Sequence, residues 1–178
     1  MNTKTHLTII AYGNPSRGDD GAAPLLLKAL SAMNLDQNTR YNFNLIEDLQ
    51  LNPEHVFDLV GTDTVIFVDA CRATLNNFSF SRISAEASSH FSTHVQSPEN
   101  ILALFELTQQ RNAPPSYLLA IEGKEFELNT EISDSTLQAI ETALAFLQKI
   151  FSTEPQSWLN LVTSNHELAK PGKKVTHA

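Results

Sequence analysis

Hydrophobic positions follow two rhythms along the chain. Short, nearly unbroken apolar runs recur at Leu7–Tyr12 (LTIIAY), Phe43–Ile46, Thr64–Val68 (TVIFV) and Tyr117–Ile121. Runs of this length, rich in β-branched residues, predict buried strands. Continuous rather than alternating hydrophobicity suits parallel strands covered on both faces. Phe78–Ile83 alternates and predicts a more exposed strand. Between the runs the apolar spacing lengthens to the helical period, as in Leu26, Ala29, Leu30 and Met33, or Leu137, Ile140, Leu144, Leu147 and Phe151. Helix starts are marked by Asp19-Asp20 with Pro24 just beyond, by Asn52-Pro53-Glu54, by Ser97-Pro98-Glu99 and by Ser133-Asp134. Strands separated by helices predict an open, mostly parallel α/β sheet. Residues 1–151 form one domain on this reading, and the more polar stretch 152–178 is expected to be a flexible tail.

Composition narrows the classes. A chain of 178 residues, 42% hydrophobic and 18% charged, has the material for one real core. A net charge of -8 argues against a nucleic-acid backbone or an anionic membrane as the main partner. Cys71 is the only cysteine, which excludes an internal disulfide and a cysteine-rich metal site and agrees with a reducing compartment. No apolar run approaches the roughly 20 residues of a membrane helix. Met1–His6 leads into too short an apolar stretch for a signal peptide. A cytoplasmic protein is expected, and a monomer, since nothing suggests a coiled coil or a swapped strand.

Open parallel sheets build their sites at the carboxyl ends of the strands. Asp19 and Asp20 follow the first strand, Asp69 ends the third, and His94 lies in the loop before the Pro98 helix. Two carboxylates and an imidazole could converge there on a divalent ion, and nickel, manganese, iron and zinc all suit such donors. Each residue also has a plain reading: helix-dipole partner for Asp19 or Asp20, turn or cap residue for Asp69, exposed loop residue for His94. His90 and His94 have the spacing of a zinc-peptidase helix, but Phe91 stands where the general base is needed. Cys71 has no evident base beside it. The loop Gly13–Gly21 (GNPSRGDDG) is neither a dinucleotide nor a P-loop fingerprint, so no organic cofactor is expected.

The stretch Tyr12–Pro24 (YGNPSRGDDGAAP) resembles the opening signature of the hydrogenase maturation endopeptidases, which trim the C-terminus of the large subunit of nickel–iron hydrogenases. Gln50–Glu54 resembles that family's second segment and Val65–Ala70 its third. Ser92-Thr93-His94 with Ser97-Pro98 resembles its histidine segment, and Ala120–Gly123 with Phe126 its late strand and turn. The five segments occur in order across residues 7–151. Ala11 and Ala23 depart from the pattern, standing where the family often has glycine.

The resemblance implies a twisted sheet with helices on both faces, a phosphorylase/hydrolase-like three-layer sandwich. It implies an endopeptidase, classed as aspartic-type, acting on a large-subunit precursor that already carries nickel. Asp20, Asp69 and His94 fall on the metal-contacting and catalytic positions, with nickel supplied by the substrate, and Asp19 falls on a supporting one. Two rivals draw on part of the same set. A nickel-binding chaperone would need Asp20, Asp69 and His94 without cleavage. A signalling receiver domain would take Asp69 as phospho-acceptor and Lys124 as phosphate partner.

Overall fold

The computed structural model describes residues 4–72, 75–86 and 97–162. Five strands form one sheet: β1 (Thr5–Tyr12), β2 (Tyr41–Asp48), β3 (Thr64–Cys71), β4 (Phe78–Ile83) and β5 (Ser116–Glu122). Their order is β2-β1-β3-β5-β4. All neighbours run parallel except β4, which pairs antiparallel with β5 at the edge. The nearly continuous burial of β1 and β3 is that of parallel strands covered on both faces. In β4 only Phe80 is buried, as its alternation predicts.

Four helices cover the two faces: α1 (Ala22–Ser31), α2 (His55–Asp58), α3 (Pro98–Gln109) and α4 (Asp134–Ile150). Helices α1 and α4 pack together over Leu7, Ile9, Ile66, Val68, Leu119 and Ile121. On the other face α2 and α3 cover Ile10, Tyr12, Val65 and Phe67. The result is the expected three-layer sandwich. Ser97 and Ser133 cap α3 and α4, accepting from the backbone N–H groups of Asn100 and Thr136. Asn52 does not cap α2. Its side-chain amide donates to Asp48 at 2.9 Å, and the buried His55 Nδ1 takes the Asn52 N–H at 3.1 Å instead. The buried stripe of α4 also differs from the expected one. Ala139, Ile140, Ala143, Leu147 and Ile150 face inward while Leu137 is exposed, because alanines let α4 approach the sheet and α1 closely.

The packed unit does not stop at residue 151. A 3-10 turn over Pro155–Asn160 brings Trp158, fully buried, against Tyr41, Phe80 and Tyr117. Its indole N–H donates to the Ile150 carbonyl at 3.2 Å, and the Tyr41 hydroxyl donates to the Thr153 carbonyl. One large aromatic with a satisfied polar end outweighs the polar residues around it. The tail boundary expected at 152 is therefore corrected: residues 152–162 belong to the domain, and 163–178 lie outside the described residues. No helix among the described residues is long and apolar enough to cross a membrane.

This topology fixes where a site can form. From β1 the chain crosses by α1 on one face to β2, then returns by α2 on the other face to β3. The crossovers part between β1 and β3, and the crevice at their carboxyl ends is the topological switch point.

Candidate active site at the carboxyl ends of β1 and β3

The loop after β1 folds back over its own strand. Gly13 has φ of 151°, and a Cβ there would lie 2.0 Å from the Asp20 carbonyl oxygen, so only glycine lets the two ends of the loop meet. The Asn14 N–H donates to Asp20 Oδ2 at 3.0 Å, and the Asn14 side chain accepts from the Ser16 N–H at 2.9 Å. Asp20 is thereby set, half-buried, above the end of β1.

Asp19 points the other way and is fully buried. Its Oδ2 accepts from the N–H groups of Lys124 (2.7 Å) and Glu125 (2.9 Å) and from the Ser133 hydroxyl (3.0 Å). Its Oδ1 accepts from the Ser133 N–H at 2.7 Å. Burial pushes this carboxyl up, but the four donors outweigh burial and hold it below the ordinary carboxylate value. The turn it grips is equally tight. A Cβ on Gly123 would lie 2.9 Å from the Asp19 Cβ and 2.7 Å from the Phe126 ring. Asp19 thus ties the β1 loop to the β5 turn and to the start of α4. Two arginines frame the same turn: Arg17 donates to the Phe126 carbonyl at 3.2 Å, and Arg72 lies 4.5 Å from the centre of its ring.

Asp69 stands near the end of β3, on the face covered by α2 and α3. Burial pushes its carboxyl up to about 6, and the nearby Asp20 charge adds to the rise. Hydrogen bonds from the Tyr12 hydroxyl and the Ala70 N–H (2.8 Å) pull it down. Tyr12 is itself raised well above the ordinary tyrosine value, first by burial, then by the Asp69 charge and by its hydrogen bond to Asp69; Glu99 and Cys71 contribute less. Glu99 belongs to the first turn of α3, so that helix starts beside the Tyr12–Asp69 pair.

The structure therefore leaves Asp20 and Asp69 near enough for their charges to interact and diverts Asp19 to the framework. His94 lies outside the described residues, as do Ser92 and Thr93; α3 begins four residues after it. Among the described residues no three histidine, cysteine, aspartate or glutamate side chains are grouped to hold a metal ion. Cys71 is half-buried, two residues beyond Asp69 on the same strand. Ala11 and Ala23 are fully buried in the core rather than at the site. Tyr12 was not singled out by motif reasoning. Its signal lay in position, since the last residue of β1 falls beside Asp69 once β1 and β3 pair.

Two surface cavities, of about 520 and 450 Å³, lie at the amino-terminal edge of the parallel strands. One is lined by Ser84, Glu106 and Pro115, the other by Lys4, Thr64 and Leu159. Neither includes Asp20 or Asp69.

Fold and site together define an α/β sandwich with two aspartates near its switch point, and solved structures share the fold. A [NiFe] hydrogenase maturation protease HycI from Thermococcus kodakarensis KOD1 aligns with a TM-score of 0.63 at 19% identity, covering 84% of this chain and 94% of that one. The maturating endopeptidase HybD from E. coli aligns at 0.62 and 14% identity, over 83% and 93%. A hydrogenase 2 maturation peptidase from Thaumarchaeota archaeon SCGC_AB-539-E09 aligns at 0.58 and 18% identity, over 84% and 100%. No family model matches the sequence, and no curated protein matches it. The chain has the hydrogenase maturation protease fold.

Proposed function

We propose that this protein is an endopeptidase of hydrogenase maturation. Its substrate is a nickel-loaded [NiFe]-hydrogenase large-subunit precursor, from which it removes a C-terminal extension. The observation that supports the reading is a fold shared with maturation proteases across most of both chains, with Asp20 and Asp69 near enough at its switch point for their charges to interact.

The donor set fits a divalent ion presented by the substrate. Two carboxylates close enough to raise one of them are relieved by a cation, and a histidine adds a nitrogen donor suited to nickel. Asp20, Asp69 and His94 complete the coordination of that ion, which makes metal loading part of recognition. A nickel ion held there by Asp20, Asp69 and His94 would supply polarisation of the scissile carbonyl. Asp20, half-buried and held by one N–H, is the freer acid and serves as base toward the attacking water. Asp69 stays oriented by its two donors. The protein acts as a free monomer in the cytoplasm and needs no organic cofactor.

The receiver-domain alternative fits the topology poorly. Receiver-like flavodoxin folds have the order 2-1-3-4-5, whereas here β5 lies between β3 and an antiparallel β4.

The test is mass spectrometry of a large-subunit precursor incubated with this protein, with and without nickel loaded. A single C-terminal cut in the loaded form alone is expected. No cut in a precursor verified as loaded would sink the peptidase reading and leave a nickel-binding chaperone.

A further inference from the structure

We propose that Tyr12 is a positioning residue for Asp69, its hydroxyl bonding the carboxylate across the β1–β3 step and holding it in one orientation at the strand end. The inference deepens the proposed function and rests on it for the meaning of the site.

The geometry begins with register. Ala11 pairs with Val68, so Tyr12 and Asp69 come next along their strands. Tyr12 lies with Ile10, Val65 and Phe67 on the face covered by α2 and α3, and alternation places Asp69 on that face too. The Tyr12 ring is packed in that cluster, 9% exposed, which leaves its hydroxyl little freedom. A buried phenol needs a partner, and Asp69 supplies it. The Ala70 N–H holds the same carboxylate from its own strand.

Two like charges close together favour turning apart. Asp20 approaches from the loop, Glu99 lies near from α3, and Cys71 follows on β3. A neutral donor anchored in the core opposes that rotation without adding a charge that would compete with an incoming cation. Tyr12 therefore contributes orientation, while Asp20 and Asp69 contribute charge.

The test is Tyr12→Phe in the full chain, which keeps the ring and removes only the donor. A hydrogen bond to a charged group is worth roughly 1.5–3 kcal/mol, so kcat for the loaded precursor is expected to fall about tenfold to a hundredfold with KM little changed. In aspartate-labelled protein the Asp69 carboxyl ¹³C resonance is expected to move while that of Asp19 stays. An Asp69 resonance that does not move overturns the proposal. So does an unchanged kcat in an enzyme whose wild type cleaves. Should the wild type cleave nothing, the proposed function fails, and the carbon resonance still decides the role of Tyr12. If Tyr12→Phe does not fold, Asp69→Ala read at the Tyr12 ring carbons replaces it, and an unmoved signal there overturns the idea.

Discussion

Asp19 and Asp69 are both aspartates at the carboxyl edge of one sheet, yet their surroundings set them to opposite tasks. Around Asp19 both carboxylate oxygens are engaged: by two N–H groups of the β5 turn, and by the N–H and hydroxyl of the α4 cap. Its charge is compensated on the spot, its carboxyl is held low, and its full burial closes it to a ligand. Asp69 has two donors, a like charge nearby and much of its water stripped away, so its carboxyl rises to about 6. A saturated carboxylate builds the framework, whereas an under-compensated one invites a cation or a proton. Asp19 and Asp20 are adjacent in sequence, and the loop turns only one of them toward the site.

The sharpest separation is expected in activity. Asp20→Ala and His94→Ala should keep the fold and lose processing by about a hundredfold to ten-thousandfold, read by mass spectrometry of the precursor beside circular dichroism. Normal processing by both variants would remove the site assignment. Asp19→Ala should act on stability instead. It strands buried N–H groups, with an expected cost of about 3 kcal/mol in urea unfolding. Asp69→Asn at pH 7 should cost little or stabilise, since it removes a charge that burial disfavours. If Asp19→Ala left stability intact, the contrast would collapse.

The effect of pH should separate the two acids by sign. Asp69 has a folded value raised from 3.8 to about 6. Its contribution to stability is complete below about 4 and is lost as pH rises through 6. Asp19 has a lowered folded value, so its contribution is present above the ordinary carboxylate range and is lost as pH falls through that value. Metal-free Asp69→Asn should lack the first dependence and Asp19→Asn the second, measured as unfolding midpoints from pH 3 to 8 (chosen to span roughly both titrations). The smallest effect belongs to Ser133→Ala. It removes a helix cap and one of four Asp19 donors, and should cost about 1 kcal/mol without changing processing.

Much of the fold was readable in the chain. The unbroken apolar runs at Leu7–Tyr12 and Thr64–Val68 became the buried centre of the sheet, and alternating Phe78–Ile83 became its edge. Ser97 and Ser133 capped the helices they announced. The stretch from 152 packs where a tail is expected because average polarity over 152–178 is a weak guide when a single indole fills a large volume: Trp158 finds its partners Tyr41, Phe80 and Tyr117 far off in sequence. Leu137 was misplaced because an apolar stripe read from leucines ignores the alanines that allow close helix approach.

Local periodicity and residue type are enough to set the alternation of strands and helices, the paired acids after β1 and the aspartate at the end of β3. The tertiary structure alone decided that Asp19 is consumed by the β5 turn and α4 cap while Asp20 is left near Asp69. It alone set Tyr12 beside Asp69. Those outcomes depend on strand order and register, which bring residues more than fifty positions apart into hydrogen-bonding distance and give chemically identical side chains different fields.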